Sequence, residues 1–175
     1  YSSNNQILKN LGVLKNLNKN RYELIEKILI KLPKKYQKMS YVVVDGKFVC
    51  LDPYLGTNYH LLSDVRYSKI EVIKKTLPLF KSNKKKYLDN NIHKNLNISN
   101  FKKFISHGSK YLPFLKDAKY IGSYFVVRTL KKNVEKTDER TGEIQIIDQK
   151  FISVLSGKWN TCVHVANKIN KILSK

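Results

Sequence analysis

Hydrophobic positions change their spacing several times along the chain, and each change predicts an element. Leu8, Leu11, Leu14 and Leu17 recur three apart in an otherwise polar, Asn-rich stretch, which predicts a short helix or loose connector over residues 1–20. Tyr22 to Leu32 alternates in part and stops at Pro33, which cannot donate to a ladder. A strand is read there, with a helix as the alternative. Met39 to Val44 is β-branched and aromatic, and predicts a strand. Asp45-Gly46 is a tight-turn pair, because both residues tolerate positive φ, and Lys47 to Leu51 reads as the return strand. Asp52 to Gly56 reads as a loop and Tyr59 to Tyr67 as a third strand, so the three form an antiparallel meander.

The second half is more mixed. Glu71 to Lys86 has helical spacing interrupted by Pro78, and residues 81–97 hold a Lys- and Asn-rich cluster expected on the surface. Ser99 is the expected N-cap of a helix from about Asn100 to Tyr111, with Phe101, Phe104 and Ile105 on one face. Tyr120 to Leu130 reads as a long strand, 131–141 as a loop, and Glu143 to Asp148 and Phe151 to Leu155 as two more strands. After a break at Ser156-Gly157-Lys158, Asn160 to Leu173 carries Val163, Ala166, Ile169 and Leu173 on one helical stripe. The predicted fold class is α+β: a mainly antiparallel sheet with flanking helices and a C-terminal strand–turn–helix. No apolar run approaches the roughly 20 residues of a membrane-spanning helix.

Charge complicates this picture. The net charge of +21 comes mostly from lysine, and it invites a basic nucleic-acid-binding reading. Lysine is accompanied throughout by Asn and Ile, however, which points to compositional bias with dispersed, solvated lysines. No RNP, zinc or helix-turn-helix signature is present, so nucleic acid is not expected as a partner. Cys50 and Cys162 make neither a disulfide framework nor a metal site, and are expected to be reduced, buried thiols of a cytoplasmic protein. His60, His93, His107 and His164 show no metal-ligand spacing.

Three segments could carry chemistry. In Phe151–Thr161 a strand runs through Gly157 into a helix, and Lys158 adds charge where the helix dipole is already positive. That suits an anion; an ordinary strand–turn–helix with a solvated lysine is the alternative. Arg128 ends the long apolar strand, where its guanidinium fork either recognises a carboxylate or phosphate or closes an internal ion pair. Tyr54, His60 and Arg66, from the meander, either face a pocket or lie on the surface.

In this order the segments resemble a family. Asp45-Gly46-Lys47-Phe48, Leu51-Asp52-Pro53-Tyr54 and His60-Leu61-Leu62-Ser63-Asp64-Val65 are similar to the substrate-domain sheet of FAD-dependent oxidoreductases of the D-amino-acid-oxidase superfamily. Gly122 to Leu130 resembles their Gly-x-Arg-Pro segment, with Thr129 at the Pro position. Ser156-Gly157-Lys158-Trp159-Asn160-Thr161 resembles the Gly-Gly-Lys-x-Thr-Thr segment of the glycerol-3-phosphate dehydrogenase branch, with Ser156 at the first Gly. The resemblance implies that Ser156 to Thr161 meet the pyrimidine side of FAD, and that Arg128 binds the anionic group of a small substrate, with Tyr54, His60 and Arg66 as further substrate-side candidates. The implied activity is hydride transfer from an amino acid, hydroxy acid or polyol phosphate to flavin. The implied division is a connector over 1–20, a substrate-binding portion over 21–130, and a segment over 131–175 that returns to the flavin-binding domain. The chain opens on Tyr1 and shows no G-x-G-x-x-G fingerprint, so the resemblance implies a missing or separate FAD-binding half.

Overall fold

The computed structural model describes residues 3–44, 48–132, 142–148, 151–155 and 157–174, and for Ser3, Asn16, Asp148 and Trp159 it describes the backbone. In chain order these residues form α1 (Ser3–Asn10), β1 (Asn20–Lys31), β2 (Tyr41–Val42), β3 (Val49–Pro53), β4 (Tyr59–Asp64), β5 (Lys69–Lys75), α2 (Ser82–Lys85), α3 (Phe101–Gly108), β6 (Lys119–Lys131), β7 (Glu143–Asp148), β8 (Phe151–Leu155) and α4 (Cys162–Leu173). The architecture is α+β, as the mixed periodicities predict. No helix among the described residues is long and apolar enough to cross a membrane.

Two compact units divide the chain. One comprises Glu23–Val72 and Phe80–Val127 and is called the sheet unit here; the other comprises Tyr1–Tyr22, Ile73–Leu79 and Arg128–Lys175 and is called the hairpin unit. The sheet is ordered β2-β3-β4-β1-β5, and β6 also pairs with β1. The meander is present: Leu51 faces Tyr41 on one side and Leu62 on the other, both antiparallel. Its Asp45-Gly46 turn lies outside the described residues.

β1 is the central strand, which explains why its sequence hardly alternates: almost every position from Tyr22 to Ile30 is buried, as in a strand covered on both faces. One sheet face, with Ile28, Ile30, Leu51 and Leu62, packs against Phe104 of α3 and against Leu115 of the 3-10 turn Pro113–Asp117. Burying Phe104 completely contributes roughly 2–3 kcal/mol. The helix start expected at Ser99 is one residue later. Ser99 Oγ accepts the N–H of Phe101 at 3.1 Å, while Asn100 is the cap residue and its own N–H goes to the buried Glu26 carboxylate at 2.8 Å.

The helical reading of Glu71 to Lys86 is overturned. Lys69–Lys75 is strand β5, and only Ser82–Lys85 is helical. Lys and Glu are good helix formers, but Ile70, Val72 and Ile73 are β-branched, and the segment pairs with β1. The segment expected on the surface, 81–97, is mostly exposed.

In the hairpin unit, buried amide and phenol groups hold chain segments together. Asn5 Nδ2 donates to Asn18 O at 2.7 Å and Thr76 O at 2.6 Å, and the Tyr22 hydroxyl donates to Thr76 O at 2.8 Å. Asn4 Nδ2 donates to Val154 O at 2.7 Å, tying α1 to β8. β7 and β8 form an antiparallel hairpin, paired from Glu143↔Leu155 to Ile146↔Ile152. A 3-10 turn over Trp159–Thr161 then leads into α4.

Candidate functional site

In the hairpin unit the site is built on the exit of β8. Gly157 is half-buried and Lys158 exposed. The Thr161 N–H and hydroxyl both donate to Lys158 O, at 3.1 and 2.7 Å, which closes the turn and aims the chain into α4. The first turn of α4 contains no acidic residue, so the partial positive charge of its N–H groups is not offset from within, and Lys158 adds a full charge. Asn160 is exposed and Thr161 half-buried; Ser156 and the Trp159 side chain lie outside the described residues. Arg128 stands near the end of β6, half-buried and engaged with neighbouring groups. Between β7 and α4 runs a groove of about 500 Å³, floored by Ile144, Ile146, Val165 and Ile172 and edged by Lys168 and Lys171.

In the sheet unit the face opposite the core carries a cavity. Side chains alternate along β1, so Lys27 and Leu29 share this face, and Leu29 pairs with Leu61 of β4. Together with Tyr124 and Val126 of β6, and with Tyr54 and Ile92 at the rim, they line a cavity of about 350 Å³. Of the residues expected here, Tyr54 reaches the cavity. His60 does not: it neighbours Leu61 in the strand, so it points to the covered face, where its partner is Ile30 of the core. There it is buried, and no hydrogen bond of good geometry reaches either ring nitrogen. Burial lowers its pKa from the usual 6.5, with the Met39 backbone and Asp52 opposing. Arg66 is exposed on the turn after β4, its guanidinium 5.3 Å from the Tyr67 ring centre.

Lys27 and Tyr124 are cavity residues that sequence reading missed. The signal was present in Lys27-x-Leu29 and Tyr124-x-Val126, but it is informative only once β6 is known to pair with β1. Among the described residues no carboxylate lies within ion-pair distance of Lys27.

Other titratable groups are structural. Asp64 accepts the Arg66 and Tyr67 N–H groups at 2.7 and 2.9 Å, and its second oxygen meets His107 Nδ1 at 2.7 Å, both side chains being buried. This clasp fixes α3 to the turn after β4. Both cysteines are free. The expectation of buried thiols fails for Cys162, which is exposed at the first position of α4; Cys50 is half-buried. The Cys50 thiol donates to Asp52 at 3.1 Å, and burial together with that carboxylate pushes it up to about 11. No group of three His, Cys, Asp or Glu suited to a metal occurs among the described residues.

Set beside known proteins, the chain matches no family model, no curated protein and no solved structure.

Proposed function

We propose that the chain is the substrate-binding and C-terminal portion of an FAD-dependent oxidoreductase of the D-amino-acid-oxidase type, acting on a small anionic substrate. The observation that carries this reading is the β8–Gly157–Lys158–α4 turn: an uncompensated helix start with a lysine beside it, on the residues that resemble the family's flavin-facing segment. These groups fit the negative edge of a reduced isoalloxazine ring, since they offer backbone N–H donors and one ammonium and present no acidic residue. FAD, when bound, supplies the acceptor for the substrate's hydride. The protein's contribution is charge and position. Lys158 and the start of α4 favour the anionic form of the ring, and Arg128 orients the substrate's acidic group through its planar fork. The FAD-pyrophosphate site belongs to a separate or missing half, and a cytoplasmic location suits the two free thiols.

Purified from its own cells together with an FAD-binding half, the polypeptide should carry a flavin absorption band that bleaches anaerobically with a small acidic substrate. Lys158→Met should slow bleaching by about tenfold and lower the flavin potential, with substrate affinity little changed. Arg128→Lys should instead weaken substrate binding. A protein that carries no flavin, and that binds RNA with steep salt dependence, would replace this reading with that of a basic nucleic-acid-binding module.

A further inference from the structure

The cavity on the face of the sheet unit opposite the core has a composition that narrows its occupant. Its volume, about 350 Å³, suits a small molecule. The walls are Leu29, Leu61, Ile92 and Val126, and the polar groups are the Lys27 ammonium and the phenols of Tyr54 and Tyr124. Lys27 is half-buried against this apolar surface without an ion-pair partner among the described residues, which leaves its charge partly desolvated. Among the described residues the Tyr124 hydroxyl has only a long contact, to Asn90 Oδ1 at 3.5 Å, so it remains able to donate.

We propose that this cavity binds a small monocarboxylate with a flat, apolar body, with Lys27 as the cation and the hydroxyls of Tyr54 and Tyr124 as donors to the carboxylate. One ammonium balances one negative charge. A phosphate monoester, with about two charges at neutral pH, would be left under-compensated. Asp52, paired with Leu61 across β3 and β4, adds negative charge nearby and disfavours it further. The two tyrosine rings and the branched aliphatic walls suit a planar body over a polyol, whose hydroxyls would find few partners there. This binding does not rest on the flavoenzyme reading above, in which Arg128 holds the substrate's acidic group.

The test is a methyl-resolved NMR titration of the 175-residue chain with phenylacetate, its neutral analogue phenylacetamide and inorganic phosphate. Phenylacetate should move the methyl signals of Leu29, Leu61, Ile92 and Val126 together. Lys27→Met should weaken its binding by about tenfold or more, and Lys27→Arg should restore most of it. Tyr124→Phe should weaken it less. Phenylacetamide and phosphate should leave the same signals in place. Equal binding of acid and amide, tighter binding of phosphate, or an unchanged affinity in Lys27→Met with the spectrum otherwise native, would each overturn the proposal. No flavin is present in the titration, so a negative result removes the carboxylate site and leaves the flavoenzyme reading to its own test.

Discussion

Asp64 and His60 sit four residues apart on the covered face of the same strand and respond oppositely to substitution. Asp64 satisfies two backbone N–H groups and one imidazole nitrogen. Asp64→Ala leaves all three buried or partly buried donors unmet, and should cost roughly 3 kcal/mol in urea unfolding at neutral pH. His60 has little to lose, because no hydrogen bond of good geometry reaches its ring. Its folded pKa is lowered by burial, so below the ordinary 6.5 the unfolded chain binds the extra proton more readily, and stability falls as pH falls. His60→Leu should be nearly neutral at pH 7.5 and should flatten this acid limb. Urea midpoints at pH 7.5 and about 5.5, compared between variant and parent, check the sign; an unchanged acid limb would show that His60 is not its source.

Among the elements, β6 shows how a backbone detail shapes the cavity. Gly122 lies where a Cβ would come 2.3 Å from Ile92 Cγ2 and 3.2 Å from His93 O. That close approach allows His93 and Ser123 to exchange backbone hydrogen bonds at 2.9 and 2.8 Å, which places Ile92 at the cavity rim. Gly122→Ala should cost roughly 1–3 kcal/mol by overpacking, and should displace Ile92 and weaken phenylacetate binding without touching Lys27. Thermal melting and the same methyl titration read the two effects separately. Element type was legible wherever apolar spacing was long and unopposed: β1, β6, β7, β8, α3 and α4 lie within a few residues of their expected places. It was illegible at β5, where helix-forming lysines masked a strand that pairs with β1. The candidate site divides along the same line. Lys158 and its turn are local and readable, whereas the cavity of Lys27, Tyr54 and Tyr124 draws on three distant segments and depends on strand pairing that no local pattern encodes.

At the scale of the whole molecule, the +21 charge bears on partners rather than on fold. The division into two units has a consequence of another kind, for the order in which the protein is made. Every residue of the sheet unit has been synthesised once Val127 is added, whereas the hairpin unit needs three separated stretches, the last beginning at Arg128. Closing such contacts across long intervening chain is entropically expensive and slow. During translation α1 therefore lacks its β8 partner until Val154 has been made, and this segment is the part that a chaperone would hold. Pulse-labelling hydrogen exchange during refolding of the 175-residue chain should find the amides of Ile28, Leu51, Leu62 and Phe104 protected before those of Leu8, Tyr22 and Leu77. Simultaneous protection of both sets would mean that the two units fold as one cooperative body.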